Sequence, residues 1–327
     1  MKRGWLPIGL MTALIVGLGA YSEVHQSTFL GKANLNNLLL AAMPLVLVSM
    51  GQATALLVGG FDISVAALMT VCVVVASFTM TPGMSGPSLT LGAFALVGVG
   101  LATGIFNTLL IRVLRLPSIV ATLGTLSVLE GVALLLRAYP QGAISTDATG
   151  TLTSAVGFVP LAFVGVVVLA ALADLWLYRT RAGLALRAVG LDGTSSRRLG
   201  MSTGRTVLLA FVVCSLFASF GGFFLAAEVQ VGSPIIGNQA LESIAAAVLG
   251  GASLAGGKGS YLGTMLAALF LTEINNVLPL FQQPAEYADM TIGALILLAL
   301  VLYQAPELIE RLRASRQRLD REAPATS

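Results

Sequence analysis

The chain reads as an all-α, polytopic membrane protein with about ten transmembrane helices, some of them broken. Three observations lead to that fold class. Hydrophobic residues fill 56% of its 327 positions and charged residues only 10%, whereas a soluble domain carries about a quarter charged residues. Apolar runs of near-spanning length recur along the whole chain. The cations gather in segments that alternating runs place on one side of a bilayer.

In chain order, the apolar runs are Trp5 to Ala20, Leu38 to Val58, Ile63 to Met80, Leu89 to Leu114, Ser118 to Leu136, Gly157 to Leu177, Thr206 to Ala227, Leu241 to Leu254, Tyr261 to Leu280 and Ala288 to Tyr303. A tilted helix needs about 17 to 25 residues to span. The run from Leu241 is short and ends in glycines, the pattern of a broken or re-entrant helix lining a cavity.

Starting with Lys2 and Arg3 in the cytoplasm, alternation puts Arg112, Arg115, the arginines from Arg179 to Arg205, Lys258 and the tail from Arg311 inside. Only Lys32 and Arg137 fall outside, so both termini read as cytoplasmic. Residues 1–310 then form one transmembrane domain with a cytoplasmic loop at 178–205, and residues 311–327 form a cytoplasmic tail. The first run also fits a signal peptide, ending Ala20-Tyr21-Ser22. A retained helix is the preferred reading, and the remaining topology is the same either way.

The connections differ in character. The outer segments Tyr139 to Val156 and Val229 to Ala240 are rich in Gly, Ser, Thr and Pro, as turns and short interfacial elements are. The inner loop Tyr178 to Arg205 is basic, about 28 residues long and periodic in Leu, Ala and Val, so short amphipathic helices are expected there. A loop that only turns the chain needs a few residues. This one has the length of a docking surface for a cytoplasmic partner.

Enzymatic chemistry lacks its parts. The single histidine, His25, has no second His or Cys placed to complete a metal site. Cys72 and Cys214 lie inside apolar runs and read as small buried hydrophobes. In GGASLAGGKGS, Lys258 is followed by Gly259, and Ala252 stands where a phosphate loop needs its first Gly. A tight glycine turn between membrane segments is the better account.

What remains is a set of polar residues inside apolar runs. Asp62, in VGGFDISVA, is the only ionised side chain between Lys32 and Arg112. At the centre of a spanning helix it costs about 2.5–3.5 kcal/mol on insertion scales. Gly59 and Gly60 permit a break, after which Asp62 can cap the helix that follows. Ser64, Asn107, Thr122, Glu242, Asn275 and Asn276 are further candidates for a polar translocation path or for hydrogen bonds between helices. Gly100 and Gly104 form a G-x-x-x-G pair suited to a close helix contact.

Four blocks, in order, resemble one family over about Leu38 to Tyr303. They are GQATALLVGGFDISVAALM, LPSIVATLGTLSVLEGVALLL, the loop pair TRAGLALRAVG and RRLGMS, and GNQALESIAAAVLGGASLAGGKGSYLGT. The family is the permease subunits of ribose-type sugar ABC importers, which includes pentose, galactose and autoinducer-2 permeases. Ala66 departs from the Gly that usually follows the Ser-Val pair, and GLDGTSSRRLG departs from the usual Asn and Ala-Ala-Arg run.

The resemblance implies an ABC importer permease fold in the bacterial inner membrane, working beside a second permease subunit as a homodimer or heterodimer. It implies a cytoplasmic ATP-binding subunit that carries the ATP and Mg, and an extracytoplasmic solute-binding protein docking on the outer segments. No cofactor is expected in this chain, and nothing points to nucleic acid. By position, Arg187, Gly190, Arg198, Leu199 and Gly200 fall in the loop expected to couple ATP hydrolysis to gating. The cargo reads as a small neutral polar solute, a sugar or sugar-like signal. The rival is an ion-coupled secondary transporter, which also uses broken helices and a midplane carboxylate.

Overall fold

The computed structural model describes residues 5–83, 86–145, 150, 154–235, 237, 239–284, 286–287, 290–295 and 297. The chain is mostly helical. Its principal helices are α1 (Trp5–His25), α2 (Lys32–Leu57), α3 (Val65–Thr79), α4 (Gly86–Arg112), α5 (Ser118–Leu136), α6 (Leu161–Arg179), α7 (Arg181–Leu191), α8 (Gly193–Arg198), α9 (Thr203–Val229), α10 (Gln239–Leu249) and α11 (Tyr261–Leu280).

Among the described residues, seven helices are long and apolar enough to cross a membrane, namely α1, α2, α4, α5, α6, α9 and α11. Helices α3 and α10 are apolar but shorter, at 15 and 11 residues. The expectation of about ten spans is therefore met in part. Every apolar run but the last coincides with a helix, while most of the run Ala288 to Tyr303 and the whole of the 311–327 tail lie outside the described residues.

Helix α2 is the centre of the bundle: 83% of its spanning window is buried, against 11% for α1. Helix α9 packs along α2 and extends onto α3 and α4; α10 and α11 also cover α2; α5 leans on α3 and α4, and α1 rests on α11. Lipid tails are as apolar as leucine, so helices associate through close packing at small residues. A Cβ on Gly51 would stand 2.6 Å from the Cys214 carbonyl of α9. The Gly100 and Gly104 pair is such a contact too: a Cβ on Gly104 would stand 2.8 Å from the Phe211 carbonyl.

The two ends of the bundle differ. At one end the 178–205 loop forms the amphipathic helix α7 and the single-turn α8, as its periodicity predicts. Arg112 donates to Thr203 at 3.2 Å, and the Tyr178 hydroxyl donates to the Gly259 carbonyl at 2.8 Å. At the other end lie the only strands among the described residues. Strand β1 (Gln141–Ala143) pairs antiparallel with β4 (Val231–Gly232), and β2 (Ala155–Val156) with β3 (Val159–Pro160). The β1–β4 pair ties together the two segments that the sequence places outside. Beneath it Arg137 donates to Ser77 Oγ at 3.1 Å and lies 3.9 Å over the Phe78 ring.

Candidate functional site

Between α2 and α3 the chain breaks for seven residues, and the break is built by its glycines. Gly59 takes φ +74°, and a Cβ on Gly60 would press within 3.0 Å of the Phe211 ring. Two neighbouring amides are then taken up by α5: Phe61 N–H donates to Ser118 Oγ at 3.1 Å and Ile63 N–H to Thr122 Oγ1 at 3.2 Å.

Asp62 is wholly buried in this joint. Its Oδ1 accepts the Ser64 N–H at 3.0 Å and the Ser64 hydroxyl at 2.5 Å. From α4, the Asn107 amide lies 3.3 Å from Asp62 Oδ2 and donates to Ser64 Oγ at 2.9 Å. Thr125 of α5 closes the set by donating to Asn107 Oδ1 at 2.6 Å. The cap position of α3 belongs to Ser64, which makes no side-chain cap bond. Asp62 thus stands two residues before the cap position and is not the N-cap. A carboxylate reaches its first two acceptor contacts within its own turn and the third on another helix, which offsets the cost of burying it.

The first turns of α3 form one wall of a cavity of about 350 Å³. Ala66, Ala67 and Thr70 line it with Glu130 and Leu134 of α5, and Pro234, Ile235 and Gly237 of the outer segment close it. Helix α5 therefore serves both features: Thr122 and Thr125 hold the joint, and Glu130 reaches the cavity.

On the opposite side of the joint, three backbones meet. Gly257 N–H donates to the Leu57 carbonyl at the end of α2, 2.9 Å away. Helix α7 closes over this contact at Gly190, where a Cβ would stand 1.8 Å from that same carbonyl and 2.6 Å from Gly257 N. Gly251, Gly256 and Gly257 all take positive φ, as a tight glycine turn requires. Arg187, one turn earlier on α7, lies 4.7 Å over the Tyr178 ring. Arg198, Leu199 and Gly200 face outward instead, Leu199 being 78% exposed.

Residues 34–300 match the family described as branched-chain amino acid transport system, permease component. The chain belongs to this family of transport permeases. Its relatives include proteins named autoinducer 2 import system permease protein LsrC. The protein of Enterobacter sp. (strain 638) is 36% identical over 266 residues, 79% of this chain and 75% of its own. That of Klebsiella pneumoniae is 38% identical over 266 residues with the same coverage. That of Escherichia coli (strain K12 / DH10B) is 32% identical over 290 residues, 85% of this chain and 79% of its own. No solved structure gives a significant match. The resemblance read from the four sequence blocks is borne out, and the permease is a multi-pass subunit of an ABC-type importer.

Of the polar residues singled out in the sequence, the permease brings Asp62, Ser64, Asn107 and Thr122 into one cluster. It does not bring Glu242, Asn275 or Asn276 there. Glu242 lies in the first turn of α10. Asn276 exchanges amide hydrogen bonds with Asn34 of α2, 3.1 Å each way, an interhelical pair, and Asn275 is half-buried beside it on α11.

Three carboxylates escape the sequence reading. Glu130 lines the cavity. Asp174, inside the apolar run of α6, caps α11 from another helix: it accepts Tyr261 N–H at 2.7 Å, Leu262 N–H at 3.3 Å and the Ser260 hydroxyl at 2.9 Å. Glu273 is 3% exposed in α11. Each is the one ionised side chain in its apolar run, so the rule that intramembrane charges are costly is the signal that could have found them. Among the described residues, no three His, Cys, Asp or Glu side chains gather to hold a metal, and Cys72 and Cys214 are buried free thiols.

Proposed function

We propose that the permease moves a small neutral polar solute, a sugar or sugar-like signal, into the cytoplasm, driven by ATP hydrolysis on a partner subunit. In this reading both termini and the 178–205 loop are cytoplasmic, in the bacterial inner membrane. The outer segments receive a solute-binding protein, and a second permease subunit, identical or sister, completes the path. ATP and Mg belong to the ATPase.

The observation that carries the reading is the three-backbone junction of Gly190, Leu57 and Gly257. It joins the loop that an ATPase would push to the break that fixes the start of α3. Displacing α7 moves the end of α2, and with it the Asp62 joint and the α3 wall of the cavity. Such a joint biases one of two arrangements through differential contacts, which is how an effector shifts a conformational equilibrium. Exposed Arg198, Leu199 and Gly200 suit contact with the ATPase, whereas Arg187 and Gly190 suit transmission.

The cavity lining favours a neutral polyhydroxylated solute over a free amino acid. A zwitterion brings a carboxylate that needs a cation, and among the described residues the lining offers Glu130 and Thr70 but no basic side chain. The relatives named for autoinducer-2 import support a sugar-like cargo in the same way. The test is competition: cells whose uptake depends on this permease are given labelled sugar-like solutes with unlabelled neutral sugars or branched-chain amino acids. Neutral sugars should compete. Competition by the amino acids alone would overturn the solute class.

A further inference from the structure

A second cavity, of about 400 Å³, lies between α1, α2 and α11. Its lining is apolar, contributed by residues such as Ile15, Val16, Phe29, Leu38 and Leu269, with one exception, Glu273. That side chain is 3% exposed and its Oε2 has no hydrogen-bond partner among the described residues. Gly19 of α1 makes room for it: a Cβ there would stand 3.2 Å from Glu273 Oε1. One turn beyond Gly19, Ser22 is also fully buried, its hydroxyl without a partner among the described residues. Two orphaned polar groups on facing helices are costly, at about 1–3 kcal/mol each for a neutral group.

Size and lining match a ligand site, which is typically a largely apolar pocket of about 300–1,000 Å³ with a few placed polar groups. The position indicates who enters. Gly19 lies about 9 Å along α1 from its His25 end, and Glu273 about 10 Å along α11 from Leu280, at 1.5 Å per residue. Both sit beneath the end of the bundle that carries the strands. Val16 and Leu30 line the cavity while being 64% and 53% exposed. Exposed apolar side chains thus stand at its edge, which suits an occupant that arrives through the acyl chains.

We propose that this cavity binds a membrane-borne amphiphile whose hydroxyl group donates to the Glu273 carboxyl while its alkyl chain fills the apolar space. Counting donors selects the hydroxyl. An ammonium brings three N–H bonds and a charge to be solvated, and the lining provides one carboxyl. A hydroxyl brings one donor, which that carboxyl satisfies. The site is separate from the Asp62 joint and from the Glu130 cavity, so it stands whatever solute the permease carries.

The test uses the permease in its complex, in lipid nanodiscs, labelled with a diazirine-bearing octanol and mapped by peptide mass spectrometry. Adducts should concentrate on the α1 and α11 peptides around Val16 and Leu269. Unlabelled decanol should displace them about fivefold more effectively than decane, the value of one hydrogen bond. Glu273→Leu should abolish the preference for decanol, and Glu273→Gln, which keeps an accepting oxygen, should retain most of it. Labelling no stronger than on the lipid-facing side of α5, or equal displacement by decane in the unaltered protein, would overturn the proposal. The second readout needs no variant to fold.

Discussion

The Asn107 side-chain amide stands 3.3 Å from Asp62 Oδ2 and 2.9 Å from Ser64 Oγ, so a residue of α4 holds the chain at the break before α3. Removing the carboxylate leaves the Ser64 N–H and the Asn107 amide without their shared acceptor. Asp62→Ala should therefore destabilise the permease by about 1–3 kcal/mol, the cost of orphaning buried donors. Asp62→Asn keeps one accepting oxygen and should lose less. Thermal unfolding in detergent, followed by fluorescence and size exclusion, compares the two; an Ala variant as stable as the parent would remove Asp62 from the joint.

Thr125 gives a smaller and cleaner test of the same cluster. Its hydroxyl donates to Asn107 Oδ1 at 2.6 Å and is wholly inside the bundle. Thr125→Val conserves shape and removes a buried hydroxyl whose proton is shared between Asn107 Oδ1 and the Ala121 carbonyl, 3.1 Å away, for a loss of about 0.6 kcal/mol in a membrane interior. In a double variant with Asn107→Ala the two losses should fall short of additive, because both act through one contact. Strict additivity in unfolding measurements would contradict that coupling.

The loop residues should separate into two classes. Arg198→Glu and Leu199→Glu alter exposed positions, so they should lower co-purification of the ATPase while leaving the yield of permease unchanged. Arg187→Glu breaks the stacking on Tyr178, and Gly190→Ala forces a Cβ into the Leu57 carbonyl. Both should lower the yield of folded permease or uncouple ATP turnover from uptake. Quantifying each subunit after affinity purification distinguishes the classes; four variants behaving alike would refute the division.

Asp192 caps α8, its carboxylate accepting from Ser195 Oγ and from the N–H groups of Ser195 and Thr194. Chiefly the Ser195 hydroxyl, then these amides, hold its carboxyl below the ordinary carboxylate range. A lowered folded-state pKa means that the cap is fully present above the unfolded-state pKa and is lost as pH falls through the folded one. Hydrogen exchange of residues 193–198 should be equally protected from neutral pH down to the ordinary carboxylate range, then lose protection below it. In Asp192→Asn that acid step should vanish; its persistence would assign it to another group.

Much of the fold was legible because membrane helices announce themselves by length and apolar content. The seven long spans, the glycine break before Asp62 and the amphipathic loop helices all follow from local pattern. The arginines marked which segments share one end of the bundle. Lys258 and the arginines of 112 and 179–205 do gather at one end of the bundle, whereas Arg137 packs on Phe78 at the other.

What depends on three-dimensional meeting was not legible. VGGFDISVA suggested an N-cap because Asp precedes a helix, but the cap bond is decided by φ, ψ and spacing, and these give the position to Ser64. Asn107, Thr122 and Thr125 are scattered polar residues in the sequence, and only packing brings them to one joint, Asn107 to the carboxylate, Thr122 to the backbone beside it and Thr125 to Asn107. Asp174 and Glu273 stand out as charges in their runs, but nothing within those segments names the α11 amides that Asp174 caps or the Gly19 that Glu273 faces. The docking of Gly190 on Leu57 is likewise invisible locally, since nothing in TRAGLALRAVG names the backbone it meets.

The central claim is that transport is energised by ATP through the 178–205 loop and not by an ion gradient. The most direct measurement is uptake into proteoliposomes holding the permease with its ATPase and solute-binding protein. Uptake should require ATP on the loop side and the binding protein on the other, persist when protonophore and sodium ionophore collapse the gradients, and fail in Gly190→Ala. Uptake that runs without ATP and stops when the gradients are collapsed would contradict it.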